Sequence, residues 1–318
     1  MTTKEEFLNE KKNCDLKFYH IEEGITDSKL KKIDEMFGAA DALSIKYAGI
    51  HQKNLTITAV LASSLVLFFL IYEAAEQHYM IIPCVIVIGL LVYHYVNGKK
   101  QRADEKYLEY RLLAEIIRVH YFLSIAKVEK PVTKIMPWFL HNAVPWAREI
   151  IEEFPKVEIN KKRSIMNCWI KDQEEYHSSA HVKTRKQKDK NEQIEMIVLI
   201  ITVGGYLAAA IFEAYLILKF PMDELMEHQL RSLLKMIIGI GTVILVFVGT
   251  YYGSISLSSK IEEHRKMEMV YQKARNRILQ QKAEESDDFI IHLAREYLVE
   301  NATWYAHQKE NKLKLKIE

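Results

Sequence analysis

His177 and His181 stand four residues apart, the spacing that sets two imidazoles on one helix face where they can share a metal ion. A zinc hydrolase of this pattern needs Glu beside the first His, and Ser178 occupies that place. The segment around them is strongly polar, so the expectation is two solvated histidines and no metal site. The chain contains no phosphate-cradling glycine loop, nucleophile elbow or paired-cysteine metal motif. Its residue types therefore give no basis for an enzyme and require no cofactor.

Two carboxylates suit chemistry of another kind. Tyr72-Glu73-Ala74 and Phe212-Glu213-Ala214 repeat an aromatic-Glu-Ala triplet 140 residues apart, each near the end of an apolar run. At such a boundary a carboxylate reaches water at little cost, and that alone accounts for both. Alternatively, oligomerisation would gather copies of Glu73 and Glu213 into an acidic ring at a pore mouth, which would favour cations. No charged residue lies near the middle of any run, which argues against a pump or an ion-coupled transporter.

The elements that position these residues are four apolar runs. Leu55 to Tyr72 holds eighteen residues without a charge and Tyr79 to Asn97 nineteen, each enough for about 27 Å of helix. A third run begins at Met196 and continues past Glu213 to Leu218, and a fourth covers Met236 to Leu257. Four such runs in one chain predict an all-α integral membrane protein, with four transmembrane helices as two hairpins and long cytoplasmic helical extensions. The boundaries are a cytoplasmic N-terminal helical segment 1–53, a transmembrane hairpin 54–97, a cytoplasmic helical region 98–193, a second hairpin 194–257 and cytoplasmic C-terminal helices 258–318.

Charge sets the orientation. Of 44 Lys and Arg, none falls between Glu73 and His78, and three (Lys219, Arg231 and Lys235) fall between the last two runs. The other 41 lie across the membrane from these loops, the side that the positive-inside rule assigns to the cytoplasm, so both termini are expected there. The first fifty residues carry no cleavable signal pattern, and the first span is expected to serve as the membrane signal. A net charge of +2 suggests no direct nucleic-acid binding. Cys14, Cys84 and Cys168 form no disulfide framework, and the sequons at Asn54 and Asn301 should carry no sugar on the inner side.

Outside the spans, helices are expected over about 3–22 and 27–53, with Asp27 or Ser28 as N-cap after Gly24. Gly98 is the expected kink. Beyond it, Leu108, Leu112, Leu113, Ile116, Ile117 and Leu123 form a broad face that needs a partner, on an extension of about 42 Å if straight. Pro131, Pro137, Pro145 and Pro155 break the next stretch into short pieces holding Trp138, Phe139 and Trp146. Those aromatics suit either the headgroup level of a bilayer or a small core. A helix from Ser164 leads into the third span, and a last one begins near Ser286 with Asp287 and Asp288 in its first turn.

Small residues line the later spans. Gly241, Gly249 and Gly253 form a stripe on the fourth, which lets helix backbones approach closely either within one chain or between subunits. The order of approach helix, hairpin, long charged helix and aromatic-containing helix occurs twice, as duplication would produce. Trp169 to Tyr176 and Tyr297 to Tyr305 echo each other.

Two segments carry a family resemblance. Phe37-Gly-Ala-Ala-Asp41-Ala-Leu-Ser-Ile-Lys-Tyr47 resembles the approach segment of the SLATT-type proteins, the SMODS- and SLOG-associating transmembrane effectors of bacteria. Tyr110-Arg111-Leu-Leu-Ala114-Glu115-Ile-Ile-Arg118-Val-His-Tyr121-Phe122 resembles the Ala-Glu, Arg and paired-aromatic pattern that follows their membrane hairpin. Beyond these segments and pieces such as Trp169 to Tyr176, the likeness is one of layout. It implies an inner-membrane effector of an anti-phage or conflict system, a homo-oligomer that permeabilises the lipid bilayer when triggered by a nucleotide signal or a partner. No sensor domain is visible here, so the trigger is left to a separate sensor or nucleotide-signal synthase, or to the helical cytoplasmic part. The alternative is a membrane-anchored scaffold that recruits a soluble enzyme.

Overall fold

The computed structural model describes residues 2–14, 19–22, 25–74, 78–158, 161–162, 164–218, 223–255, 257–281 and 286–310. Among these, all regular structure is helical. The chain divides into two compact units, one of residues 1–52, 102–183 and 259–318, the other of residues 53–101 and 184–258.

The first unit is built around α4 (Ala103–Ile125). Leu112, Leu113, Ile116, Ile117, Val119, Tyr121 and Phe122 of α4 are all fully buried, so apolar side chains point inward around nearly its whole circumference. A helix of this kind must be enclosed. Its partner is α11 (Asp287–Glu310), which buries Ile290, Leu293, Ala294, Tyr297 and Leu298. Thus the broad face of α4 meets a helix from the far end of the chain.

Helix α1 (Lys4–Lys12) is shorter than the expected 3–22, because the described residues 19–22 are not helical. Its Phe7 enters the core beside Tyr110 and Trp146, at ring-centroid distances of 5.5 and 5.7 Å. Helix α2 (Ser28–Ala74) starts at Asp27, whose Oδ1 accepts the Lys29 and Leu30 amides at 2.8 and 2.9 Å. Asp27 is therefore the N-cap. Gly24 lies outside the described residues.

The break between α3 (Ile81–Gln101) and α4 falls at Arg102, not at Gly98. Arg102 has φ 47° and ψ 33°, a left-handed conformation that costs an L-residue about 1–2 kcal/mol. Its guanidinium is 2.9 Å from Glu105 and 3.8 Å from Glu6, contacts that hold the side chain while the backbone turns.

The prolines give the short helices α5 (Val132–Ile135), α6 (Trp138–Ala143) and α7 (Ala147–Glu152). The aromatic cluster splits: Trp146 joins the core, whereas Trp138 is 86% exposed and Phe139 44%. A π-helical stretch, Ile165–Lys171, precedes α8 (Asp172–Ile217) and seats Trp169 flat against Phe122, 4.8 Å away. Helix α10 (Leu257–Gln281) completes the unit with Met267, Tyr271, Ala274 and Ile278 in the core.

The second unit contains the C-terminal parts of α2 and α8, together with α3 and α9 (Glu224–Ile255). Four helices are long and apolar enough to cross a membrane. In the most apolar stretch of each, at most 11% of residues are buried. Val85, Ile86, Ile200 and Ile211 are each more than half exposed, so these helices present an extended apolar surface. The His94 ring nitrogen Nε2 meets the Asn54 carbonyl at 3.1 Å, tying α3 to α2. Tyr206 and Thr242 hydroxyls meet at 3.4 Å between α8 and α9.

Candidate functional site

A buried polar cluster inside the first unit joins the two segments that carried the family resemblance. Asp41 sits on α2 and Arg111, Glu115 and Arg118 on α4, the last three at i, i+4 and i+7 and so on one face. Asp41 Oδ1 accepts from Arg111 Nη1 at 2.8 Å. Arg111 Nη2 lies 2.6 Å from Glu115 Oε1, a charge contact out of line for a hydrogen bond. Arg118 Nη1 is 2.9 Å from Glu115 Oε2, and its guanidinium covers the Phe37 ring at 4.9 Å. Tyr297 on α11 donates its hydroxyl to Glu115 Oε2 and accepts from Arg118 Nη1 at 2.8 Å.

The carboxylates differ electrically. Glu115 is 1% exposed; burial works to raise its pKa, but the Arg111 and Arg118 guanidiniums outweigh burial and hold it below the usual value. Asp41 is raised, because burial prevails over the pull of Arg111. Both arginines are held more firmly protonated than usual: burial opposes their charge, and Glu115 overcomes it. Tyr297 is pushed well up by burial, so its hydroxyl remains a donor. Removing one member of such a cluster leaves a buried charge uncompensated, at a cost of about 3–5 kcal/mol.

His177 corrects the expectation of solvation. It is buried, with Nδ1 3.1 Å from Nδ1 of His264 on α10 and its ring stacked on Tyr271 at 5.7 Å. Of the polar residues around it, Asp172, Glu175 and Ser179 are exposed, whereas Gln173, one turn earlier on the same face, is buried with it. Burial first, and then His264, push its pKa down to about 4, and burial lowers His264 as well. His181 is only partly buried, and no group of three or more His, Cys, Asp or Glu among the described residues could hold a metal ion. On α11, partly buried Glu300 is pushed up to about 8 by burial, with Glu115 and Glu263 adding to the shift.

The membrane-boundary candidates lie in the second unit. Glu213 is half exposed and paired with Arg231 Nε at 3.1 Å, and Arg231 also reaches Glu227 at 3.3 Å. Glu73 is exposed in the last turn of α2. Gly241 faces Thr202 of α8 so closely that a Cβ there would lie 2.5 Å from the hydroxyl oxygen. Gly249 and Gly253 belong to α9, but their surroundings lie outside the described residues.

Sequence reading missed Tyr297, His264 and Glu300 as members of the cluster. The echo between Trp169–Tyr176 and Tyr297–Tyr305 was the available signal: Trp169 and Tyr297 meet edge to face at 6.0 Å. No protein-family model, curated protein or solved structure matches the chain.

Proposed function

We propose that the chain is a membrane effector of a bacterial conflict system, a SLATT-like homo-oligomer of the inner membrane that permeabilises the bilayer when its helical unit is triggered. In this reading residues 54–97 and 194–257 form two membrane hairpins, and the termini and the first unit lie in the cytoplasm, as the basic residues favour. One observation carries the reading. Helix α2 bears both Asp41 of the buried cluster and the apolar stretch Leu55 to Tyr72, and α8 bears both His177 and the stretch from Met196. A buried charge cluster has few alternative arrangements, so repacking it displaces whole helices, and an uninterrupted helix passes the displacement to its apolar part.

The test is membrane potential, followed with a dye in bacteria induced to express the chain. Wild type should depolarise the cells, and Glu73→Gln/Glu213→Gln should abolish the effect if both carboxylates line the ion path. Deleting residues 258–318 would strip α10 and α11 from the core, so Tyr297→Phe is the cleaner perturbation of the helical unit.

A membrane-anchored scaffold is the second reading, favoured by the exposed surface at Trp138. It predicts that unrelated spans can replace the native ones without loss of activity. It gains if wild type leaves the potential unchanged even under phage challenge with the neighbouring genes present.

A further inference from the structure

An open cleft of about 490 Å3 lies on the first unit, with walls from α5, α6 and α11. Its lining includes Lys134, Met136, Trp138, His141, Arg295 and Val299. Every ionisable residue on the wall is basic, and no carboxylate lines it. Neither Lys134 nor Arg295 has an ion-pair partner among the described residues, whereas Lys106, Arg111 and Arg118 of the same unit are all paired.

Trp138 is the anomaly. Trp146 and Trp169 are 5% and 0% exposed, as expected of the largest apolar side chain, while Trp138 leaves 86% of its surface in water. An indole face beside unneutralised cations offers stacking to a flat ring and charge to an anion at the same place. The cleft falls within the size range of small-molecule sites.

We propose that this cleft binds a mononucleotide-sized ligand, its base stacked on Trp138 and its phosphates held by Lys134 and Arg295. Phosphates and guanidinium or ammonium groups make charge-assisted hydrogen bonds, and the stack tolerates any base because every base has a π face. Val299 and Met136 supply the apolar floor that a ribose or base edge covers. The site stands on its own chemistry and is independent of whether the spans conduct ions.

Isothermal titration of the full chain in detergent with ADP, GDP and UDP, with adenosine and pyrophosphate as controls, tests it. At least one nucleotide should bind saturably at one site per chain, with adenosine and pyrophosphate each at least about tenfold weaker. Trp138→Ala should weaken nucleotide binding about tenfold or more, and Lys134→Ala/Arg295→Ala should weaken it and flatten its salt dependence. All three side chains are exposed, so unchanged thermal unfolding should accompany these losses. Absence of saturable binding by all three nucleotides would overturn the proposal. So would undiminished binding to Trp138→Ala, or pyrophosphate binding as tightly as the nucleotides. None of these results alters the membrane-potential test, so the two readings fail separately.

Discussion

Tyr297 donates its hydroxyl to Glu115 across 182 residues of sequence, closing the polar cluster between the last helix and the central one. Tyr297→Phe keeps the ring packed on Trp169 and removes both that donor and the acceptor of Arg118 Nη1. A hydrogen bond to a buried charge is worth about 1.5–3 kcal/mol, and a loss of that size is expected in denaturant unfolding in detergent. Glu115→Gln should cost more, about 3–5 kcal/mol, because Arg111 and Arg118 then face each other without their common anion. A double-mutant cycle between the two positions should show coupling; strict additivity would mean that the contact contributes nothing.

Glu300 gives the cluster a pH dependence. Its carboxyl is pushed up to about 8 in the folded chain, above the ordinary value of 4.5, so the folded state holds an extra proton between those values. Stability from this group is fully present below about 4.5 and is lost as pH rises toward 8. Glu300→Gln keeps a neutral side chain at every pH. Its melting temperature should exceed that of wild type by a margin that grows from pH 5 to pH 8 and then levels off.

The buried histidine has the opposite sign. His177 is pushed down to about 4 from an ordinary 6.5, so the unfolded chain binds more protons between those values. Its contribution is intact above 6.5 and disappears as pH falls through 4. His177→Phe, which can still stack on Tyr271, should lose less stability than wild type on acidification from pH 6.5 to 4.5, measured by the same melts.

Gly241 tests packing in the second unit. Its Cβ would meet Thr202 Oγ1 at 2.5 Å and Thr202 Cβ at 3.3 Å, and that hydroxyl is held by a 2.8 Å bond to the Val198 carbonyl. Thr is stiff at χ1, so it yields poorly. Gly241→Ala should destabilise by about 1–3 kcal/mol, and Thr202→Ala should restore part of the loss. Gly49→Ala, with nothing within 4 Å of the new Cβ, should be neutral or stabilising by up to about 1 kcal/mol.

Orientation can be read by labelling single cysteines in a chain lacking Cys14, Cys84 and Cys168. Glu224→Cys should react with a membrane-impermeant maleimide in intact cells, and Arg148→Cys only after permeabilisation. The reverse pattern would invert the proposed topology.

The four apolar helices were legible because length and apolar character need only one property repeated along eighteen or more residues, and composition records it directly. The same holds for Asp27, whose capping role depends on neighbours two and three residues away. Arg111, Glu115 and Arg118 could be seen to share a face, since helical spacing is local. Their partners could not: Asp41 lies 70 residues away and Tyr297 lies 179 from Arg118. His177 looked solvated because its sequence neighbours are polar, yet the face on which it lies meets His264 and Tyr271 of α10. Trp138 and Trp146 looked alike, and only the packing of Phe7 and Tyr110 around one of them separated core from surface. What the residues alone determined is which helices are long and apolar enough to cross a membrane, because hydrophobicity adds up along the chain. What tertiary structure alone decided is which buried charges meet, because that depends on helices brought together from opposite ends of the sequence.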